Sequence, residues 1–444
     1  MDENENITED IEDTAELSEK TESESFENDT DDFCEYEAHT VKKKKRTVSY
    51  FTVAILMILT AVLIFQITYL AVGQMYKREI NSLLSSGISN AKINELDKIY
   101  KENFIYDFTD KDIEDGLIRG YIYGTGDRYG SYFTAEEYQA YIDQLNDKSI
   151  GIGIIAGFDA SDNAIEVYRV YEDSPADKSG IEIGDRIFSV DGTKVSDVGY
   201  NTAMDLILGD VGKEVVLTVR KNDSAVTKDI SVTRDEYTVT TVEYKLADKI
   251  GYIKITNFYS DTVNELKDAV VALRDQGAES LLFDVRDNSG GLLVSIEKTL
   301  DYLLPKGIMF TIKDKKGNEE VYNSDASCVD MPMVILVNSK TGSAAELFTS
   351  TLMDYDKAVS VGEQTYGKGS VSTPFKLSDG SHVYLSTALY YPPVSDNFDG
   401  VGITPDHKVS LSYEASRVSL YKLAWEDDDQ LQYAIELLKN KIEK

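Results

Sequence analysis

Histidine and cysteine are scarce in this chain. Only three histidines occur in 444 residues, His39, His382 and His407, and none has ligand spacing to a second His or Cys, so no zinc motif is present. The two cysteines, Cys34 and Cys328, flank a long apolar run. If that run crosses a membrane, the two cannot pair within one chain, and the region beyond it must rely on its cores. Positive charge is also short: 45 Lys and Arg stand against 79 Asp and Glu, a formal net charge of −34. Such a chain repels phosphate, which sets nucleic acid aside as a partner. The composition is otherwise that of a globular protein, 42% hydrophobic and 28% charged, and the length suffices for two or three domains.

The negative charge is concentrated at the start. Residues 1–40 hold 17 acidic residues and one base, Lys20. With like charges repelling and little apolar surface to bury, residues 1–46 read as a disordered acidic tail. It ends in the cluster KKKKR, after which no charged residue occurs between Arg46 and Lys77. A bilayer core needs roughly 20 apolar residues, so 47–76 is expected to be a transmembrane helix. It is longer than the apolar core of a cleaved signal peptide, although Ala71 and Gly73 leave cleavage open. Positive charge favours the cytoplasmic side, so the tail is expected inside the cell membrane and everything from 74 onward outside it.

Residues 79–147 carry apolar side chains at helical spacing, at Ile93, Leu96, Ile99 and Tyr100 and again at Ile113, Leu117 and Ile118. From 148 to 235 the pattern becomes short β-rich runs such as IGIGIIAGF, AIEVYRVY and EVVLTVRK, with one helical stretch near 200–208. From 236 to 410 strand and helix alternate, which predicts an α/β domain with crossover connections. Residues 411–444 read as a C-terminal helical segment. The expected fold class is thus α/β and multidomain: a transmembrane helix, a helical region, a β-rich insert and an α/β core.

Three segments of the alternating region can carry chemistry. Asp284-Val-Arg-Asp-Asn-Ser-Gly-Gly291 is an apolar strand running into a turn whose glycines can expose backbone N–H groups to an oxyanion. Thr341-Gly-Ser-Ala-Ala-Glu346 puts Ser343 among small residues at a helix start, where negative charge is favoured, but Ser343-x-x-Glu346 also fits a plain capping box. Tyr366-Gly-Lys-Gly-Ser370 sets Lys368 between glycines, where burial could lower an amine pKa from its usual 10.4 or so; a surface lysine in a loop has the same sequence. No histidine suits Ser343 as a base, which leaves Lys368 as the best candidate.

Taken in order, the motifs GDRYGSYF (126–133), GIGI (151–154), SPADKSGIEIGDRIFSVDG (174–192), DVRDNSGG (284–291), SKTGSAAELF (339–348), MDYDKAVSVGEQTYGKGSV (353–371) and GITPD (402–406) resemble the C-terminal processing proteases. These are tail-specific peptidases of family S41 with a Ser–Lys pair and a PDZ domain. The resemblance, which runs from about 95 to 410, implies Ser343 as nucleophile and Lys368, 25 positions later, as general base. It implies oxyanion donors at the backbone of Gly290 or Gly291 and of Ala344. It makes residues 148–235 a PDZ-like domain whose Gly151-Ile152-Gly153-Ile154 loop holds a peptide's C-terminal carboxylate while the peptide adds as a strand. It departs at Ser372, where many members have a base-orienting glutamine, and at Thr341-Gly342 and Ala345 beside the nucleophile.

The resemblance therefore implies a serine endopeptidase acting on protein or peptide substrates with an exposed C-terminus, without cofactor or metal. A non-catalytic PDZ scaffold and a protease gated by its PDZ ligand stand as alternatives. The oligomeric state is open, a homodimer included.

Overall fold

The structure, a computed structural model, describes residues 57, 59, 60, 62–72, 74, 75, 90–222, 224–325 and 328–442. The acidic tail lies outside them, as do 47–56 and 79–89. The described part of 47–76 is helical, with its apolar side chains exposed. No helix among the described residues is long and apolar enough to cross a membrane, so the expected transmembrane helix gains no support from the fold.

The chain divides at Tyr106. The first unit contributes the helix Asn90–Asn103, whose Leu96, Ile99 and Tyr100 are exposed. The second unit, from Asp107 on, opens with two helices, Asp110–Thr125 and Ala135–Leu145. Each starts in a capping box, Thr109 with Asp112 and Thr134 with Glu137, which satisfies the free N–H groups of the first turn. Gly126, in the left-handed region at φ 79°, ends the first helix, and a short strand Ser131–Phe133 lies between the two.

The β-rich unit follows. Five strands, Ile154–Asp159, Ala164–Val170, Arg186–Val190, Glu214–Arg220 and Thr227–Thr233, form an antiparallel sheet in that order, with Ile154–Asp159 at one edge. Their inward side chains, including Ile165, Ile187, Leu217 and Val232, close on the helix Tyr200–Ile207 through Ala203 and Ile207.

The third part is an α/β layer. Its sheet runs Val242–Ala247, Ile250–Ile255, Ser280–Asp284, Met333–Val337, Ala358–Gly362, His407–Lys408; the first pair is antiparallel and the rest parallel. Ser280–Asp284 and Met333–Val337 are buried throughout because both faces are covered. Leu281, Phe283, Ile335 and Val337 face the helices Thr262–Asp275, Leu293–Leu303 and Ala344–Asp354, while Leu282, Val334 and Leu336 face the C-terminal helix. A second, antiparallel sheet of five strands flanks the layer and includes Gly307–Asp314 and Glu319–Ser324.

The C-terminal segment departs from expectation. Only Asp429–Ile442 is α-helical; 411–428 is irregular apart from 3₁₀ turns at Ala415–Arg417 and Trp425–Asp427. Its side chains are drawn inward one at a time instead of on one helical face. Lys422 donates to Glu166 at 2.6 Å, Trp425 packs on Tyr252 at 5.1 Å, and Asp428 takes two N–H groups of the buried Arg286.

The chain enters and leaves the β-rich unit side by side. Val239 N–H donates to the Asp147 carbonyl and Ser260 N–H to Leu145, over a small cluster of Leu145, Tyr171, Val239 and Tyr259. The Asp147 carboxylate accepts the Asp261 N–H at 2.8 Å, and its other oxygen is buried without a partner among the described residues. Burial, with Glu265 and Asp261 adding negative charge, pushes its pKa up to about 6. An unfolded aspartate ionises near 3.9. Between about pH 4 and 6 the folded chain therefore keeps a proton the unfolded chain has lost, and this residue's contribution to stability falls as pH rises. Asp147→Asn, which cannot ionise, should gain in stability relative to the wild type between pH 4.5 and 7.5 in urea unfolding. A difference between the two that stays constant across that range would rule the effect out.

Candidate active site

Three adjacent parallel strands, Ser280–Asp284, Met333–Val337 and Ala358–Gly362, end at the same edge of the sheet. The three segments singled out in the sequence, 284–291, 341–346 and 366–370, lie at or just beyond those ends. Ligands of open α/β sheets commonly sit beyond the carboxyl ends of such strands. Backbone bonds lace the segments together. Gly342 N–H donates to the Asn288 carbonyl at 2.9 Å, Tyr366 N–H to the Thr341 carbonyl at 3.0 Å, and the Thr341 hydroxyl to the Val285 carbonyl at 2.9 Å.

Ser343 immediately precedes the helix Ala344–Asp354 and is 91% shielded from solvent, its relative exposure being 9%. Its backbone is in the left-handed region, φ 53°, which costs a non-glycine residue about 1–3 kcal/mol and must be held by its surroundings. The holding group is Glu346, one turn on and fully buried. Its carboxylate accepts Ser343 N–H and Lys368 N–H on one oxygen, each at 2.8 Å, and Gly367 N–H at 2.7 Å and the Thr365 hydroxyl at 2.5 Å on the other. Two nitrogens at 2.8 Å from one oxygen lie at most twice that distance apart, so the serine and lysine backbones meet at this carboxylate. Burial pushes the Glu346 pKa up, and the four donors act against that shift.

Lys368 is partly buried on its turn. Burial lowers its pKa from the usual amine value, with Asp127 and Asp399 opposing. It forms no ion pair among the described residues. Both neighbouring glycines are sterically required: a Cβ on Gly367 would meet Gly402 N at 2.8 Å, and one on Gly369 would meet Asp399 N at 2.4 Å. The Ser343 hydroxyl and the Lys368 amine are not hydrogen-bonded to one another. His382 stacks on Tyr138 and His407 lies against Tyr433, so neither serves the serine.

Gly290 packs directly on the serine; a Cβ there would meet Ser343 Cβ at 2.8 Å and Ala344 N at 3.0 Å. Its N–H is already given to Asn288 Oδ1 at 2.8 Å. The N–H groups of Gly291 and of Ala344, the first residue of its helix, have no partner among the described residues. Of the two glycines named from sequence, Gly291 is thus the one whose N–H is available. The Ser372 hydroxyl is buried and makes no hydrogen bond among the described residues. Sequence reading missed Glu346 as the common anchor, having read it only as a helix cap, and it gave no role to Asp127 or Tyr129, which approach Lys368 from the GDRYGSYF turn.

In the β-rich unit, Gly151-Ile152-Gly153-Ile154 precedes and opens the sheet's edge strand. The carbonyls of Ile152 and Gly153 accept from Ala176 and Tyr171, while their N–H groups have no partner among the described residues. Gly153, at φ 81°, leaves no room for a side chain, because a Cβ would meet Ser174 Cβ at 2.3 Å.

The profile "Peptidase family S41" matches residues 249–409, and "PDZ domain" matches 166–221. The chain is similar to the carboxy-terminal processing protease CtpA of Bacillus subtilis strain 168, at 32% identity over 373 residues, covering 83% of this chain and 78% of the relative. It is also similar to a probable CtpA-like serine protease of Staphylococcus haemolyticus strain JCSC1435, at 31% identity over 365 residues, covering 79% and 73%. Among solved structures, a putative S41 protease from Bacteroides fragilis NCTC 9343 shares the fold, with a TM-score of 0.53 at 16% identity, over 72% of this chain and 88% of that one.

The anchoring role of Glu346 can be tested without any assay of activity. In Glu346→Gln an amide NH₂ would replace one acceptor that now serves backbone N–H groups. Leaving buried donors unsatisfied costs about 1–3 kcal/mol each. The variant should lose about 3 kcal/mol in urea unfolding, and Glu346→Asp, whose shorter stem cannot reach all four donors, should lose a comparable amount. Wild-type stability in both would remove Glu346 from this role.

Proposed function

Because the chain belongs to peptidase family S41, as a C-terminal processing serine protease that carries a PDZ domain, we propose that Ser343 is its nucleophile and Lys368 its general base. The observation that carries this is the shared Glu346 carboxylate, which joins the backbone of a strained serine to that of a lysine whose pKa is lowered by burial. A neutral Lys368 amine takes the Ser343 proton as the oxygen attacks the scissile carbonyl. The N–H groups of Gly291 and Ala344 receive the developing oxyanion. Lys368 gives that proton to the leaving amine, then draws one from the water that attacks the acyl-enzyme and passes it to Ser343 Oγ as the ester bond breaks.

The substrate in this reading is a protein or peptide with an exposed C-terminus. Its carboxylate is taken by the unpartnered N–H groups of the 151–154 loop, and its last residues add to the edge strand Ile154–Asp159. Support for placing the catalytic part outside a membrane comes from the sequence alone, from KKKKR and the uncharged run after it.

Ser343→Ala and Lys368→Ala should each reduce hydrolysis of an unfolded protein substrate by on the order of 10³-fold or more while leaving the unfolding midpoint near that of the wild type. Amidating the C-terminus of a cleavable peptide should raise its KM about tenfold, since a charge-assisted contact is worth about 1.5–3 kcal/mol. Retention of more than a tenth of wild-type turnover in Ser343→Ala would refute the nucleophile, and equal KM for both peptide forms would refute the carboxylate site.

A further inference from the structure

We propose that Tyr129 is a positioning residue for Lys368, reaching it from the turn that follows the first helix of the second unit: its hydroxyl pins the Gly367 carbonyl and its ring covers the amine. This deepens the reading of Lys368 as the general base and rests on it.

The Tyr129 hydroxyl donates to the Gly367 carbonyl at 2.5 Å, across 238 positions of sequence. That peptide unit joins Gly367 to Lys368, so the bond fixes the plane from which the lysine side chain departs. Gly400 N–H donates to the same oxygen at 2.8 Å. The Lys368 Nζ lies 5.5 Å from the centre of the Tyr129 ring, and the Tyr366 ring lies 6.1 Å from the same ring, tilted by 58°. The ring thus takes solvent from the amine on one side. The phenol is itself partly buried and keeps its proton, its pKa raised by burial and by Asp399, so it remains a donor.

The turn is built to deliver this side chain. Gly126 ends the helix in the left-handed region, and Gly130 leaves no space for a Cβ, which would meet Ile122 at 2.7 Å. Asp127 accepts Tyr129 N–H at 3.1 Å and also holds Ser386, taking its N–H and hydroxyl at 2.9 Å each. Ser386 lies in the long strand His382–Tyr391 between the stretches paired to Ser131–Phe133 and to Gly307–Asp314. The carboxylate fills that gap and anchors the turn to the sheet.

The charged and titratable groups around Lys368 are Asp127 from this turn, Asp399 from the 397–402 loop, Glu346 from the helix after the serine, and Arg128 and Tyr366 beside the ring. Asp127 and Asp399 favour the charged amine, and burial disfavours it and dominates. Removing the ring would admit water and relieve that burial. Removing only the hydroxyl would free the Gly367 peptide and leave the burial intact. The two functions of one side chain are therefore separable.

The experiment uses the full chain as wild type, Tyr129→Phe and Tyr129→Leu, with thermal melts to confirm folding. Competitive acetylation with acetic anhydride from pH 6 to 10.5, read by mass spectrometry, gives the Lys368 titration midpoint without any turnover. Steady-state hydrolysis of an unfolded protein gives kcat, KM and the acidic limb of the pH profile. In Tyr129→Leu the midpoint should rise by about one unit towards the ordinary amine value. The acidic limb of kcat should shift with it, and kcat at pH 7 should fall at least about tenfold with KM within about twofold. Tyr129→Phe should keep the midpoint but lose about fivefold in kcat, as expected for one lost neutral hydrogen bond of about 1 kcal/mol. A folded Tyr129→Leu with wild-type midpoint and kcat overturns the proposal; should that variant not fold, wild-type kcat in Tyr129→Phe overturns it. If the midpoint shifts as expected but the wild type hydrolyses nothing, Tyr129 still covers Lys368 and the reading of Lys368 as a base falls instead.

Discussion

A single buried carboxylate sets the geometry of this site. Glu346 receives the backbone N–H groups of Ser343, Gly367 and Lys368 and the hydroxyl of Thr365. A carboxylate removed from water is costly unless its lone pairs are filled. Here the groups that fill them are the ones whose positions matter most. Thr365 passes the constraint on: its Oγ accepts Ile403 N–H at 2.6 Å, so the GITPD segment is tied to the same point. The serine's left-handed backbone has a physical explanation in these terms, since the carboxylate that follows it fixes the N–H of a residue that would otherwise relax.

A second buried charge cluster supports the 285–291 turn from below. Arg286 donates to both oxygens of Asp284 and both of Asp428, and to Gln430. Removing one partner from such a cluster leaves an uncompensated buried charge, which costs about 3–5 kcal/mol. The irregular C-terminal segment is therefore part of the site's foundation. It also touches the PDZ domain, through Lys422 on Glu166 and through Tyr421 stacked at 6.2 Å on Tyr168. Tyr168 in turn lies over Gly157 of the edge strand, where a Cβ would meet its ring at 2.4 Å. The edge strand of the PDZ domain and the base of the 285–291 turn are thus connected through packed side chains of one segment.

Much of this was legible in the sequence because the signals are local. Strand–helix alternation after residue 236, the strand-to-turn glycines at 290 and 291, and the small residues around Ser343 are properties of short windows. The S-x-x-E pattern at 343–346 was legible too, yet it read as a helix cap, because a capping box and a buried anchor have the same spacing and differ only in what fills the carboxylate's remaining lone pairs. Those partners come from positions 365–368, and sequence spacing does not show that a second strand's turn folds back over the helix start. The irregular course of 411–428 was hidden for a related reason. Its composition is compatible with a helix, but Lys422, Trp425 and Asp428 each find a separate long-range partner, and those contacts override local propensity. The motif at 126–133 stood out as a pattern without a function, since Tyr129 meets its partner 238 positions away.

The scarcity of histidine sets the chemical problem that the rest of the site addresses. In the proposed reading a lysine must shed its proton inside a chain of net charge −34, where the general field favours the cation. The nearest carboxylates would defeat the base if they paired with it. Both are instead occupied by other donors: Asp127 by Ser386 and the Tyr129 N–H, and Asp399 by the Gly369 N–H at 3.0 Å. Their charge is spent on backbone groups that also need satisfaction, and neither forms an ion pair with Lys368. Burial then governs the amine, on a turn whose close approach to 399–402 only glycine permits at 367 and 369. In the proposed reading, steric packing eases the amine towards its neutral form, at the expense of backbone freedom in the YGKG turn and without importing a compensating positive charge.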